Sequence, residues 1–310
     1  VSLMKRKAIT LADIANYENL SLALYKAAKG KRYRGDVLHF MSSLETNLNQ
    51  LSRDILSAKL PYGRFRSFAI NDPKPRTIHA ACFEDRVFHH ALMNHAGPVL
   101  EKAMLPTSFA CRPGKGVHQA VQLVQKNLQR FKGVELTNQL RRVIESHEAT
   151  ANYGLPIGSL TSQYFANYYL DGLDRLLASL PMVRAHIRYM DDVIWWSDSL
   201  KQTKAVLAIV SAWLQESRLL FLKSNTDIQM SKQGVTYCGY QVTQGSIRLT
   251  RRRKKRFLQR RRYWEGLYQS RKITTLQLQQ SFASVNAITE HTDSLGWRRE
   301  NLRRYPALDV

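Results

Sequence analysis

Residues Arg188-Tyr189-Met190-Asp191-Asp192 lie between two short apolar runs, Val183 to Ile187 and Val193 to Trp196. Each run is rich in β-branched or aromatic residues and reads as a buried strand. The carboxylate pair then falls at the turn of a hairpin whose strands cannot slip without turning a buried face to water. Two acids at the tip of buried walls suit a metal site for phosphoryl chemistry. Acids at a turn are also ordinary, because Asp favours turns and is usually solvated there. The pattern alone leaves both readings open.

Charge narrows the partner. The chain has 310 residues, is 44% apolar and carries a net charge of +23. That is enough apolar material for one large domain or two to three closely packed subdomains. Such a charge excess opposes compaction unless a polyanion offsets it, so nucleic acid is the leading partner and an anionic membrane surface the competitor. No run of 18 apolar residues exists, so no bilayer span is expected. Val1 to Thr10 has basic residues without a long apolar stretch after them, so no secretory signal is expected. Cys82, Cys111 and Cys238 are far apart and lack metal spacing. They read as reduced core residues of a cytoplasmic protein.

Periodicity sketches the organisation. Leu20, Leu22, Leu24, Leu38, Phe40, Leu44, Leu48 and Leu51 recur at helical spacings over residues 11–60. Residues 61–80 read as a hairpin around Asn71-Asp72-Pro73, and 84–103 as a helix. Pro106 to Gly116 is a loop, and 117–130 a helix with Val117, Ala120, Val121, Val124 and Leu128 on one face. Phe131 to Gly154 is ambiguous. Leu155 to Gly158 is a turn before a helix from about Thr161 to Leu180, and a further helix spans Leu200 to Leu219. Strands are expected at 220–223, 235–242 and 246–249, and the last 60 residues are basic and helical.

Several blocks together resemble a reverse transcriptase over most of the chain. Tyr189-Met190-Asp191-Asp192 is similar to that family's metal-binding hairpin. Leu155 to Asn167, with Ile157, Gly158, Ser162 and Gln163, stands about 25 residues upstream, as the family's motif B does. Lys74-Pro75-Arg76 and Asp85-Arg86 resemble the finger motifs, Ser108 to Gly116 the next block, and Tyr237-Cys238-Gly239-Tyr240 the primer-grip strand pair. Most family members carry Gln-Gly, three residues, then Ser-Pro in motif B. Ile157 at the Gln position and Gln163 at the Pro position resemble the reverse transcriptases of diversity-generating retroelements, within the group II intron-like superfamily. Those enzymes copy a template RNA into cDNA and misincorporate opposite adenine. The resemblance implies structured RNA, an RNA–cDNA duplex and dNTPs as partners, together with a small basic accessory protein oligomer and no membrane. It also implies a bacterial or phage source and a cytoplasmic location. Retron and group II intron enzymes are the neighbouring alternative, and a catalytically inactive RNA-binding scaffold is the alternative from another class.

The implied fold is α/β in the α+β sense, a right-hand polymerase. N-terminal helices and fingers would occupy 1–116, a palm with an antiparallel sheet 117–245, and a basic helical thumb 246–310. Nucleotidyl transfer uses two metal ions about 3.5–4 Å apart, here Mg²⁺ with Mn²⁺ as the alternative. Adjacent strand residues point to opposite faces, so Asp191 is expected as the principal ligand and Asp192 as the supporting one. Tyr189 and Met190 would flank the primer end. Lys74 and Arg76 would hold the triphosphate; a solvated basic loop is the ordinary alternative. For Arg86 a structural ion pair is at least as natural as substrate contact. Arg112 and Lys115 fit a phosphate-approaching loop or a plain turn. Ile157, Gly158, Ser162 and Gln163 would line the nascent base pair, although Ser162 could simply cap its helix. Lys223 would act on pyrophosphate or be a strand-end charge. Nine of twelve residues from Arg251 to Arg262 are basic: Arg251, Arg252, Arg253, Lys254, Lys255, Arg256, Arg260, Arg261 and Arg262. They fit a helix tracking a duplex through phosphates, with Phe257, Leu258, Tyr263 and Trp264 on a docking side. The ordinary alternatives are a localisation tract or a site for an acidic partner. His79, His89, His90, His95 and His118 make no convincing ligand set and read as packing or RNA-facing residues.

One block is missing. The family's first catalytic aspartate should lie on a strand between the 117–130 helix and motif B, yet no Asp occurs between Asp85 and Asp171. A palm without that block would lose a central strand, which is hard to remove because its neighbours lose backbone partners. Three explanations are open: a segment between Lys132 and Val134 absent from this sequence, which is favoured; a deliberate deletion; or a natural non-catalytic relative. Glu135 is a remote substitute, because its surroundings do not match.

Overall fold

The computed structural model describes residues 8–59, 65–71, 75–131, 136–140, 160–222, 227–306 and 308. Lys74, Ile157, Gly158 and Lys223 lie outside the described residues, as do Lys132, Val134 and Glu135. In chain order the elements are α1 (Leu11–Ala15), α2 (Tyr17–Ala28), α3 (Gly35–Ser42), α4 (Leu44–Leu56), β1 (Phe65–Asn71), β2 (Pro75–Ala81), α5 (Phe83–Ala103), α6 (Val117–Arg130) and β3 (Leu136–Leu140). There follow α7 (Leu160–Tyr169), α8 (Asp171–Ser179), β4 (Ala185–Tyr189), β5 (Asp192–Ser197), α9 (Leu200–Arg218), β6 (Asp227–Gln229), β7 (Val235–Tyr237), β8 (Tyr240–Val242), β9 (Ile247–Leu249), α10 (Arg251–Gln269), α11 (Thr275–Ala287) and α12 (Leu295–Arg304). They form two compact units, residues 1–105 with 146–172, and residues 106–145 with 173–310.

The first unit is helical and carries a β1–β2 antiparallel hairpin. Thr10 and Asp13 close a capping box on α1, and Asn16 caps α2. Both caps satisfy amides that a helix start otherwise leaves without partners. Leu20, Leu24, Phe40, Leu48 and Leu51 enter a core with Phe83, Val87 and Ala91 of α5. Leu22 and Leu38, counted with them in the sequence, are 48% and 55% exposed. They fall between the i, i+4 rows that the core uses, so their phase turns them outward. Arg86 forms its ion pair with Asp36 of α3, at 2.6 Å, not with the adjacent Asp85. Neighbours along a helix diverge by about 100°, so they do not face each other. The β2 backbone pairs Arg76 with Ile70.

The second unit is built on a four-stranded antiparallel sheet of order β4-β5-β3-β6, followed by a β7-β8-β9 meander and three helices. β3 corrects the expectation of a lost central strand. It follows α6 after residues 131–135 and pairs with β5 on one side and β6 on the other. Both neighbours thereby keep their backbone partners. The sequence Leu136-Thr137-Asn138-Gln139-Leu140 hides this strand because it lacks β-branched and aromatic density. The helix expected over 161–180 is two helices, α7 and α8, and no strand forms at 220–222.

Alternation sorts the side chains of β4 and β5. Ile187, Ile194 and Trp196 join a core with Val121, Val124 and Leu128 of α6 and Tyr237, Tyr240 and Val242 of the meander. His186, Arg188, Val193 and Trp195 take the opposite face by register, and α9 packs on β3 and β5. Trp195 and Trp196 are both fully buried. Burial of roughly 150–250 Å² each, at about 25 cal/mol per Å², gives up to about 4–6 kcal/mol per ring. The hairpin is therefore clamped from both sides.

His89, buried on α5, has its pKa lowered from 6.5 to about 4, first by burial and then by the charge of His90. The unfolded imidazole takes a proton below pH 6.5, the folded one only near pH 4. Stability is therefore fully present above pH 6.5 and lost as pH falls, by on the order of 3 kcal/mol from this group. His89→Gln is expected to flatten the thermal midpoint between pH 6.5 and pH 4. A profile parallel to that of the wild type, read by circular dichroism melts, would assign the loss to other groups.

Candidate active site

The β4–β5 hairpin turns through Met190 and Asp191, and Tyr189 pairs with Asp192 across it. Met190 has φ +54°. Positive φ at the first turn position matches the twist of the flanking strands, but without glycine it carries strain. The walls behind the turn are fully buried at Ile187, Arg188, Val193, Ile194, Trp195 and Trp196. Asp191 and Asp192 are partly exposed at the tip. The arrangement is two carboxylates projected from a rigid base.

Arg188, inside a strand, is 0% exposed. Its Nε donates to both carboxylate oxygens of Asp174 at 2.9 and 3.0 Å, and its Nη2 donates to Asp174 at 2.7 Å. Nη2 also donates to Ser108 Oγ at 3.0 Å, and Nη1 to the Met190 carbonyl at 3.1 Å. The backbone of residues 107–109 lies along β4: Arg188 N–H donates to the Thr107 carbonyl and Phe109 N–H to the Arg188 carbonyl, both at 2.9 Å. On the same face of β4, burial lowers the His186 pKa, and its Nε2 shares a hydrogen bond of 2.8 Å with Thr107 Oγ1.

The neighbouring loop keeps its cations close to itself. Arg112 is 6% exposed and donates to the Ser108 carbonyl at 2.8 Å. Lys115 donates to the Pro106 carbonyl at 2.8 Å and lies over the Phe109 ring. Arg112 thus holds the loop's own backbone.

The β7–β8 hairpin approaches the carboxylates from the other face. Tyr237 Oη donates to the Asp192 carbonyl at 3.2 Å. Cys238 and Gly239 form its two-residue turn with φ +48° and +80°, the type I′ pattern that favours glycine second. Burial raises the Cys238 thiol pKa far above its ordinary value, and the charges of Asp192 and Asp191 add to the rise. Burial also raises Tyr237 and Tyr189, with Cys238 the next cause for both. Tyr189, Cys238 and the two aspartates thus form one neighbourhood. Among the described residues no group of three or more His, Cys, Asp or Glu stands ready to hold a metal. A hard divalent ion can bind through one or two carboxylates plus waters and phosphate oxygens. Carboxylates such as Asp191 and Asp192 are the donor type such an ion takes, and β3 brings no acid. Leu136, which follows Glu135, pairs with Ser197 at the end of β5 remote from Asp192.

α10 begins against this hairpin. Thr250 caps the helix and donates its hydroxyl to the Gly239 carbonyl at 3.0 Å. Arg253 donates to Tyr240 Oη at 2.7 Å and to the Cys238 carbonyl at 2.8 Å. Phe257 meets Trp297 edge-on, and Arg261, 3% exposed, bonds Glu265 and the Pro306 carbonyl. Arg253, Phe257 and Arg261 are therefore the inward row. Lys254 lies over Trp297, while Arg251, Arg252, Lys255, Arg256, Arg260 and Arg262 are exposed. Of the nine cations, half-buried Arg253 and buried Arg261 are engaged by partners within the protein.

Residues 126–242 match the family of reverse transcriptases (RNA-dependent DNA polymerases). The reverse transcriptase span runs from within α6 through β8 and includes both hairpins just described. It supports RNA-directed DNA polymerase activity in general, with an RNA template and dNTP substrates. No curated protein matches the chain significantly. Among the described residues no helix is long and apolar enough to cross a membrane.

The remaining expected residues divide by unit. Ser162 is buried and Gln163 exposed on α7, which packs on α5 in the first unit. The second unit assembles Tyr189, Asp191, Asp192, the 106–116 loop and the start of α10. Sequence reading missed Asp174, and it placed Ser108 and Tyr237 in motifs without foreseeing their contacts with Arg188 and Asp192. The available signal was Arg188 itself, since an arginine inside a buried strand requires a partner.

Gly239 offers a direct test of the hairpin geometry. A Cβ there would collide with the Arg253 guanidinium, and φ is already +80°. Gly239→Ala is expected to lower stability by about 1–3 kcal/mol. Urea unfolding measures this, and an unchanged midpoint would show that Arg253 yields freely.

Proposed function

We propose that the protein is an RNA-directed DNA polymerase of the diversity-generating kind, with Asp191 and Asp192 as its metal-binding carboxylates. The observation that carries the reading is the aspartate pair at the tip of a hairpin with buried walls, inside the reverse transcriptase span. A divalent ion held there would neutralise charge developing on phosphoryl oxygens. Tyr189 flanks the same tip, and Lys74, Arg76, Lys223 and the Ile157 to Gln163 segment remain the proposed nucleotide contacts. The diversity-generating assignment, its adenine-directed errors and its basic accessory protein rest on Ile157 and Gln163 in motif B.

The exposed α10 cations support a nucleic-acid partner. Six basic residues open the helix and no acid stands in its first turn. Cations at a helix N-terminus oppose its dipole, whereas an anion there is favoured. A phosphate backbone answers both demands. A second reading, an RNA-binding scaffold without catalysis, is favoured by the absence of an acid on β3.

Primer extension on an RNA template separates the two. Asp191→Ala is expected to abolish incorporation, by at least about 10³-fold, without weakening duplex binding. Equal incorporation by wild type and variant would overturn the enzyme reading. Error rates opposite adenine that match those opposite other bases would overturn the diversity-generating assignment.

Salt titration tests the binding surface. Each of Arg251, Lys255 and Arg260 changed to Ala is expected to reduce the slope of log K against log salt by up to about 0.9 for an RNA–DNA duplex. Arg261→Ala is expected to lower the melting temperature instead, because its guanidinium is internal. Slopes unchanged by all three surface substitutions would move the nucleic-acid site off α10.

A further inference from the structure

We propose that Asp174 and Ser108 are positioning residues for the Asp191 carboxylate, acting through Arg188. The Met190 carbonyl belongs to the peptide that joins Met190 to Asp191. Arg188 Nη1 donates to that oxygen at 3.1 Å. Fixing it fixes the peptide plane, and so the direction in which the chain enters Asp191. Met190 sits at φ +54° without the freedom of glycine, so the turn needs an external hold.

The guanidinium supplies that hold only if its own plane is fixed. Asp174 takes two of its nitrogens and Ser108 shares one of these, leaving Nη1 aimed at the turn. Arg188, Asp174 and Ser108 are all 0% exposed, so water does not compete for these bonds. A planar fork held on one edge presents its other edge in a set direction, which an ammonium on a flexible stem cannot do. Stability alone does not call for the pair. A buried ion pair is often replaceable by apolar side chains of similar volume without loss of folding. The specific product of this pair is the third contact, on the turn.

The catalytic consequence rests on the polymerase reading, so the experiment carries one readout that does not. Arg188→Lys keeps the charge and loses the fork. The double variant Arg188→Met with Asp174→Leu replaces the pair by apolar groups and keeps the fold testable. Ser108→Ala keeps the ion pair and removes one brace. Hydrogen exchange at the Met190, Asp191 and Asp192 amides is measured first. It is expected to rise at least about 10-fold in the double variant and in Arg188→Lys, and less in Ser108→Ala, with Ile194 to Trp196 unchanged. Primer extension follows. There kcat is expected to fall about 10- to 100-fold, with a higher Mg²⁺ requirement and a dNTP KM within about twofold of wild type. Unchanged exchange at the turn in all three folded variants overturns the positioning role. A fall in kcat with an unchanged Mg²⁺ requirement overturns its link to the metal ligand. A wild-type chain lacking Asp191-dependent incorporation overturns the polymerase reading, while the exchange data still decide whether Arg188 holds the turn.

Discussion

A fully buried arginine next to the end of a strand is the constraint around which the second unit is arranged. A guanidinium removed from water is tolerable only when its charge and donors are met inside the protein. Arg188 meets them with a carboxylate from α8, a hydroxyl from the 106–116 loop and a carbonyl from the adjacent turn. Three separate segments are thereby tied to one side chain. The backbone ladder between residues 107–109 and β4 reinforces the same junction. Two adjacent tryptophans on opposite faces of β5 then lock the strand between its helical and meander layers.

Much of this was legible in the sequence where the signal was local. Val193 to Trp196 announced a buried strand and Asp191 and Asp192 a turn, whereas the stretch expected as a strand over 235–242 is two strands joined at Cys238-Gly239. Amphipathic spacing found α6 and α9. What escaped was non-local. β3 is a strand because β5 and β6 need a partner between them, and its own residues give little hint of it. Leu22 and Leu38 show the limit of counting leucines without phase. The Arg188–Asp174 pair spans 14 positions and follows no periodic rule. Its trace was a charged residue at the end of an apolar run.

The site itself divides in the same way. The two aspartates and their flanking tyrosine are products of one hairpin, and a short motif can encode them. The Cys238 thiol, raised by burial and by those aspartates, belongs to a different hairpin brought against the first by Tyr237. Two guanidinium groups border the site, Arg188 at the Met190 carbonyl and Arg253 at the Cys238 carbonyl. Arg188 is matched by Asp174, so Asp191 and Asp192 stand as an acidic pair in a protein whose net charge is +23. The contrast favours cations at the turn and anions along α10.

The inward row of α10 fixes more than packing. Arg253, Phe257 and Arg261 recur every four residues, each engaged by a different neighbour, so the helix is keyed like a cog at three teeth. A helix advances about 100° per residue. A single-residue insertion or deletion between Thr250 and Arg253 would therefore bring a different set of cations to the outside and break all three engagements at once. Point changes among the exposed arginines leave this phase untouched. Packing therefore fixes the length and angular setting of α10, and with them the direction in which its outer cations are presented.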